Sequence, residues 1–218
     1  MSKAVLFDLD GPLVASTKLF ADFLGYLCKQ HGRSSVVRVR DSYYDLAELE
    51  DLKLVFPEPH QKVYEMLGVK SELANKEHNR YMQINIAPLT PGIELTVKKL
   101  VNKGRKIGIA TSNSREVTEK RLLSYGIRSQ FGAVVCEEDV ENPKPHPEPI
   151  IKCLLKLGAR REGSVHIDDL PIGIKAGKAA GVTTIGITWG LGTYDSLVRE
   201  NPDYIAQTVP ELERILGL

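Results

Sequence analysis

Asp8 and Asp10 stand at the end of the first apolar run of the chain, Ala4 to Phe7, and are followed at once by Gly11 and Pro12. Side chains alternate along a strand with period two, so both carboxylates project to one side, and the Gly-Pro pair turns the chain away just beyond them. Two acids held together raise each other's pKa unless a cation lies between them, a placement that invites Mg²⁺ and a lysine. Asp8, ionised at neutral pH, has the chemistry to attack phosphorus without a helping base and form an aspartyl phosphate. Asp10 is then placed to protonate the departing oxygen and later to take a proton from the hydrolytic water. The plainer alternative is a pair of strand-end acids that bind water or cap a helix. An EF-hand loop is ruled out, because it needs glycine at its sixth place and Gly11 falls at the fourth.

Other polar residues occupy similar places further on. Thr111, Ser112 and Asn113 follow one apolar run directly, and the hydroxyl with two backbone N–H groups near a helix start suits phosphate oxygens, a plain N-cap being the alternative. Lys144 lies in Asn142-Pro143-Lys144-Pro145-His146-Pro147, where alternating prolines stiffen the backbone and present the lysine on a rigid loop, able to neutralise Asp8 and a phosphate together. Asp168 and Asp169 follow a third apolar run; they either cap the next helix or, with Asp8 and Asp10, supply the oxygens that octahedral Mg²⁺ prefers.

The elements that must position these groups alternate. Strand patterns at 106–110, 133–136, 164–167 and 183–187 are separated by helical patterns at 93–102, 114–125, 149–157 and 172–180, and a closing segment with Tyr204 to Ala206 and a helix from Pro210 lies at one edge. Such alternation predicts right-handed crossovers and a doubly wound, Rossmann-like parallel sheet. All the polar clusters then fall at strand carboxyl ends, where such sheets bind ligands, with the Asp8 strand flanked by the Thr111 and Asp168 strands. Between Ser16 and Ile86 the apolar residues recur at helical spacing, which predicts an all-helical insertion: Ser16 capping a first helix ended by His31-Gly32, and further helices at 42–55, 60–67 and 71–86, punctuated by Pro57, Pro59 and Gly68. The organisation expected is a core of residues 1–14 and 87–218 with a cap of residues 15–86.

In order and spacing, Asp8-Leu9-Asp10-Gly11, Thr111-Ser112, Lys144 and Asp168-Asp169 resemble the four motifs of the haloacid dehalogenase superfamily, and the resemblance spans essentially the whole chain. It implies that Asp8 is the nucleophile and Asp10 the general acid/base whose backbone carbonyl also binds Mg²⁺, that Thr111 and Lys144 bind phosphate, and that Asp169 is the third metal ligand. The insertion resembles the cap of the phosphoglycolate phosphatase and beta-phosphoglucomutase branch, and Thr188-Trp189-Gly190 with Asp203-Tyr204-Ile205 leans to its phosphatase side. The fourth motif departs from the common pattern, since Asp168 stands for its glycine and Gly173 for its later acid, as in phosphoglucomutase-like members; direct or water-mediated contact of Asp168 with the metal stays open. Pro12 and Ala15 also depart from frequent choices, away from the chemical step.

The reading is a Mg²⁺-dependent phosphatase acting on a small phosphorylated metabolite. A dehalogenase has no use for Asp10 or the acidic pair, a sugar phosphomutase differs only in cap groups, and a receiver-type phosphate sensor carries its motifs in the reverse strand order. Arg38 and Arg40 are first choices for cap residues that select the substrate, whereas His31, His60, His78, His146 and His166 share no metal-ligand spacing and read as surface or core residues. Gly190-Leu191-Gly192 comes too late for a dinucleotide fingerprint.

The totals fit. A net charge of +1 over 218 residues, with mixed signs throughout, gives no grip on nucleic acid or an anionic membrane. No apolar stretch reaches the ~20 residues of a membrane span, and Met1 to Lys3 leads straight into a strand without a signal peptide, so a cytoplasmic location is expected. Cys28, Cys136 and Cys153 are expected to be buried thiols rather than disulfides or zinc ligands. Oligomeric state is not legible.

Overall fold

A computed structural model describes residues 3–55 and 60–218. In chain order it contains β1 (Ala4–Phe7), α1 (Thr17–Gln30), β2 (Val36–Val39), β3 (Ser42–Asp45), α2 (Leu49–Val55), α3 (His60–Met66), α4 (Ser71–Ile84), α5 (Ile93–Asn102), β4 (Lys106–Ala110), α6 (Arg115–Ser124), β5 (Ala133–Val135), α7 (Glu148–Leu157), β6 (Val165–Asp168), α8 (Pro171–Ala180), β7 (Thr183–Ile187), α9 (Tyr194–Val198), β8 (Tyr204–Ala206) and α10 (Val209–Leu216).

Six strands form one parallel sheet in the order β5-β4-β1-β6-β7-β8. The alternation within β1 shows why it is central. Val5 and Phe7 pack on one face with Ile107, Ile109 and Ile167 and with Ile93, Val97 and Leu100 of α5, while Ala4 and Leu6 face Ile150, Cys153 and Leu154 of α7 and Ala176 of α8. A strand buried on both faces reads as a continuous apolar run, and each large side chain so buried contributes about 1.5–3 kcal/mol. Gly108 of β4 lets α7 approach closely, since a Cβ there would stand 2.5 Å from Cys153 Sγ. All three cysteines are free and buried, as expected.

The insertion forms a second apolar cluster, with Phe20, Phe23, Leu24 and Leu27 of α1 against Leu46, Leu52, Val63, Tyr64 and Met82, which reaches Val117 and Leu191 outside it. Its two connections to the sheet are stitched together, because Ala15 N–H donates to the Pro88 carbonyl (2.9 Å) and Thr90 N–H to the Leu13 carbonyl (2.9 Å). It is not all-helical. The helix expected over 42–55 begins instead as β3, which pairs antiparallel with β2 through the two-residue turn Arg40-Asp41. Arg40 takes φ 56°, a left-handed value that a hairpin turn of this length demands and that glycine or asparagine usually signals. The β-branched run Val36, Val37 and Val39, with Tyr43 and Tyr44, is the strand signal that helical spacing hides. Ser16 makes no capping bond at α1, and α9 adds a short helix to the closing segment. Pro57 and Pro59 lie outside the described residues. Among those described, no helix is long and apolar enough to cross a membrane.

Candidate active site

The sheet order sets β1 between β4 and β6, with Phe7 opposite both Ile109 and Ile167, so the chain leaves all three strands at one level. Asp8, Thr111, Asp168 and Asp169 are therefore neighbours. Together with Asp10, Ser112, Asn113 and Lys144 they line one cavity of about 350 Å³, roofed by Ser16, Thr17 and Phe20 of the α1 region and Asn75, His78, Asn79 and Met82 of α4. The turn after Asp8 is held from two sides: Thr90 Oγ1 and Trp189 Nε1 each donate to the Gly11 carbonyl at 3.1 Å. Gly11 has φ 85°, and a Cβ there would stand 2.4 Å from Asp169 Cγ, so both backbone and space require glycine.

Lys144 is buried, and its Nζ donates to Asp8 Oδ1 (2.8 Å) and Asp168 Oδ2 (2.7 Å). Burial alone would lower its pKa, but the carboxylates of Asp168 and Asp8 outweigh that and raise it. Asp168 is fully committed. Its Oδ1 accepts from Leu170 N–H (2.9 Å) at the start of α8, and its Oδ2 also meets His166 Nε2 (3.2 Å). Against the cost of burial, Lys144 first and then His166 hold Asp168 below the ordinary carboxylate range. Its carboxylate also occupies the space beside Gly173, where a Cβ would fall 1.9 Å from Asp168 Cγ. The acid at 168 thus requires the glycine at 173.

Asp169 differs from its neighbour. Leu191 N–H donates to its Oδ2 (2.7 Å), and burial followed by repulsion from Asp168 and Asp8 pushes its pKa well up. Burial likewise lifts Asp8 to about 7, with Lys144 opposing and Asp168 and Asp10 adding. One ligand atom each of Asp8, Asp168 and Asp169 lies within 4.8 Å of the others. Three close carboxylates with one lysine leave a negative excess, and this all-oxygen donor set fits a hard divalent cation such as Mg²⁺.

Asp10 is held by different partners. Arg121 Nη1 donates to its Oδ1 at 2.9 Å, and the Asn113 amide donates to its Oδ2. Against burial, Arg121 first, then hydrogen bonds from Ser16 and Asn113, hold the Asp10 carboxyl below its ordinary value. Asn113 lines the cavity as well, with its amide on Asp10 and its backbone N–H donating to Thr111 Oγ1 (3.2 Å). Helix α6 is capped by Ser114 rather than Thr111, which leaves Thr111 and Ser112 on the cavity wall.

Several site residues escape a sequence reading. Arg121 sits mid-helix in a charged stretch without a motif. His166 is a core residue, as read, but one that meets Asp168, and His78 lines the roof. Gly190 and Gly192 clear room for Asp169, a Cβ at Gly190 falling 2.1 Å from its Oδ2; the Gly-Leu-Gly spacing itself was the available signal. Arg38 and Arg40, expected at the site, are exposed on the β2–β3 hairpin and absent from the cavity wall, with Arg38 over the Tyr43 ring at 6.0 Å.

The profile described as haloacid dehalogenase-like hydrolase matches residues 5–187. The pyrophosphatase PpaX of Halalkalibacterium halodurans is 31% identical over 224 residues, covering 98% of this chain and 96% of that protein. In structure the chain is similar to a protein provisionally assigned as a phosphoglycolate phosphatase from Lactobacillus plantarum (TM-score 0.78, 20% identity, 100% of each chain) and to one provisionally assigned as a beta-phosphoglucomutase from Thermotoga maritima (TM-score 0.72, 21% identity, 99% of each chain).

Proposed function

The chain belongs to the haloacid dehalogenase-like hydrolases and is a phosphatase of that family; from that premise we propose that it hydrolyses a small phosphorylated metabolite through an aspartyl phosphate on Asp8. The observation that carries the reading is Lys144 bonded to Asp8 at the end of the central strand, with Asp10 and Asp169 beside it. An Asp8 Oδ–phosphorus bond forms as the phosphorus–leaving-group bond breaks; Arg121 holds Asp10 ionised in the free protein, so Asp10 takes up the proton it passes to the departing oxygen when the phosphoester, itself an anion, binds beside it. Water then attacks the phosphorus, Asp10 takes a proton from it, and the bond to Asp8 breaks to release inorganic phosphate. Lys144 orients Asp8 and meets the transferring phosphoryl oxygens, with Thr111 and Ser112 on their other side.

Asp8, Asp169 and the backbone carbonyl of Asp10 would hold Mg²⁺, which when bound offsets charge on the phosphoryl group. Asp168 serves mainly as the counter-ion of Lys144. Residues 15–86 act as a cap over the leaving group. The name of the Halalkalibacterium relative puts pyrophosphate beside phosphoglycolate at the head of the substrates to try, and the adjacent acids shared with phosphomutase-like proteins add sugar phosphates. Three free thiols fit a reducing compartment, so we place the activity in the cytoplasm.

The experiment is a panel of these compounds with Mg²⁺, following both released phosphate and sugar-phosphate isomers. Phosphate release from at least one compound is expected; isomer formation without net release would replace the phosphatase reading with a mutase.

A further inference from the structure

Arg121 is the largest of the fully buried side chains, and its single carboxylate partner is Asp10 among the described contacts. Arg121 bonds one oxygen of the Asp10 carboxylate and the Asn113 amide bonds the other, so the carboxylate is fixed in direction by a donor on each side. Nη1 donates to Asp10 Oδ1, while Nη2 lies 3.3 Å from Met82 Sδ of α4. Arg121 thus touches the sheet-borne acid and the roof helix at once. Lys120 of α6 also donates from Nζ to the Gln83 carbonyl of that helix (2.7 Å), and the Tyr125 hydroxyl, just past α6, donates to the Ala87 carbonyl on the return from the insertion. Met82 continues the stripe of Asn75, His78 and Asn79 that lines the cavity from α4. Asp10 is also bonded from Ser16, at the insertion's other connection.

We propose that Arg121 is the positioning residue of Asp10, fixing the orientation of that carboxylate toward the leaving group and tying it to the place of α4. The inference rests on the reading of Asp10 as acid/base. Proton donation to a leaving oxygen needs the carboxyl within hydrogen-bond reach of it, so a misdirected Asp10 penalises poor leaving groups and spares good ones. An alkyl phosphate needs that proton; the p-nitrophenolate of p-nitrophenyl phosphate departs without it.

The test measures kcat/KM for an alkyl phosphate and for p-nitrophenyl phosphate with the full chain and Mg²⁺. Arg121→Met is expected to lower the alkyl value by about tenfold or more, within the ~10²–10⁴ that a positioned acid contributes, and the aryl value by less than about threefold. A merely structural role lowers both together. Equal losses, no loss, or a gain for the alkyl ester would overturn the proposal. Should Arg121→Met not fold, Arg121→Lys decides, since it keeps the buried charge without the separate donors that reach Asp10 and Met82, and is expected to shift the ratio in the same direction by a smaller factor. Met82→Ala removes what Arg121 touches on α4 and is expected to shift it likewise; an unchanged ratio there refutes the tie to the roof helix. Asp8→Asn separates the premise from the inference. If that variant still hydrolyses p-nitrophenyl phosphate, the aspartyl-phosphate reading fails first.

Discussion

The floor and the roof of the cavity are built on opposite terms. On the floor, ionisable side chains at strand ends are locked by one another: Lys144 between Asp8 and Asp168, Asp10 on Arg121, Asp169 under the Leu191 amide. On the roof, α4 presents two amides, an imidazole and a thioether on one helical stripe, with Asn75 exposed and Asn79 half-buried. Charges taken out of water must be paired and become rigid, whereas neutral polar groups beside solvent can change without collapse. On the function proposed above, chemistry common to every substrate would belong to the first arrangement and discrimination to the second.

The largest effects should come from the floor. Asp8→Asn is expected to abolish phosphate release in a folded protein, because the amide keeps the side chain's shape and cannot form the acyl phosphate; substantial turnover by the pure variant removes Asp8 as nucleophile. Lys144→Ala is expected to lower kcat/KM by about 10²–10³-fold for all substrates in parallel, since the interaction lost is with the transferring phosphoryl group. Stability should fall too, by about 3–5 kcal/mol as for other broken buried pairs, read as a denaturant midpoint. Losses that differ widely between substrates would move Lys144 from chemistry to specificity.

A subtler floor effect is its dependence on pH. Folding lifts Asp8 from 3.8 to about 7 and Asp169 well above 3.8, so the metal-free folded state holds protons that the unfolded chain has released. Stability without metal is then expected to decline as pH rises from about 4 towards 7. Asp10 and Asp168, both depressed, act in the other window and lose their contribution as pH falls below 3.8. Mg²⁺ competes with the protons on Asp8 and Asp169, so the thermal shift it produces should grow between pH 5 and pH 7.5. A shift that shrinks as pH rises contradicts metal binding at these carboxylates.

The same contrast decides what was legible in the sequence. The floor is written locally, because a strand end fixes where its next residues stand, and so Asp8, Thr111, Lys144 and Asp169 could be placed from apolar runs and the loops that follow them. Arg121 was not legible, and Gly173 was legible beside Asp168 without its steric reason, since their meaning depends on space shared with residues elsewhere in the chain: Asp10 for one, and the Asp168 carboxylate for the other. In the insertion, helical spacing gave α1, α3 and α4 but concealed the hairpin, whose turn rests on a left-handed arginine rather than a glycine. The choice of Arg38 and Arg40 followed from charge alone, and charge does not say which face of an element it occupies.

That misplacement supplies the finest test of the roof. Arg38 and Arg40 share the insertion with Asn75 and Asn79, and as cations they look the better ligands for an anionic substrate. Yet Arg38 spends its Nε on the Arg40 carbonyl (3.2 Å) and lies over Tyr43, on an exposed hairpin outside the cavity wall. Asn79 reaches the cavity one helical step from His78, where an amide can donate to or accept from a leaving group. Asn79→Leu is therefore expected to change the ratio of kcat/KM between two phosphoesters by about tenfold, the scale at which a site rejects a partner that leaves a polar group unpaired. Arg38→Ala with Arg40→Ala should leave every ratio within about twofold, in keeping with surface changes that touch no binding group. Both variants keep the floor intact, so p-nitrophenyl phosphate serves as the internal reference. If the arginine pair reshuffles substrate preference while Asn79→Leu does not, the hairpin rather than α4 faces the substrate, and the division of labour between floor and roof has to be redrawn with α4 as mere support.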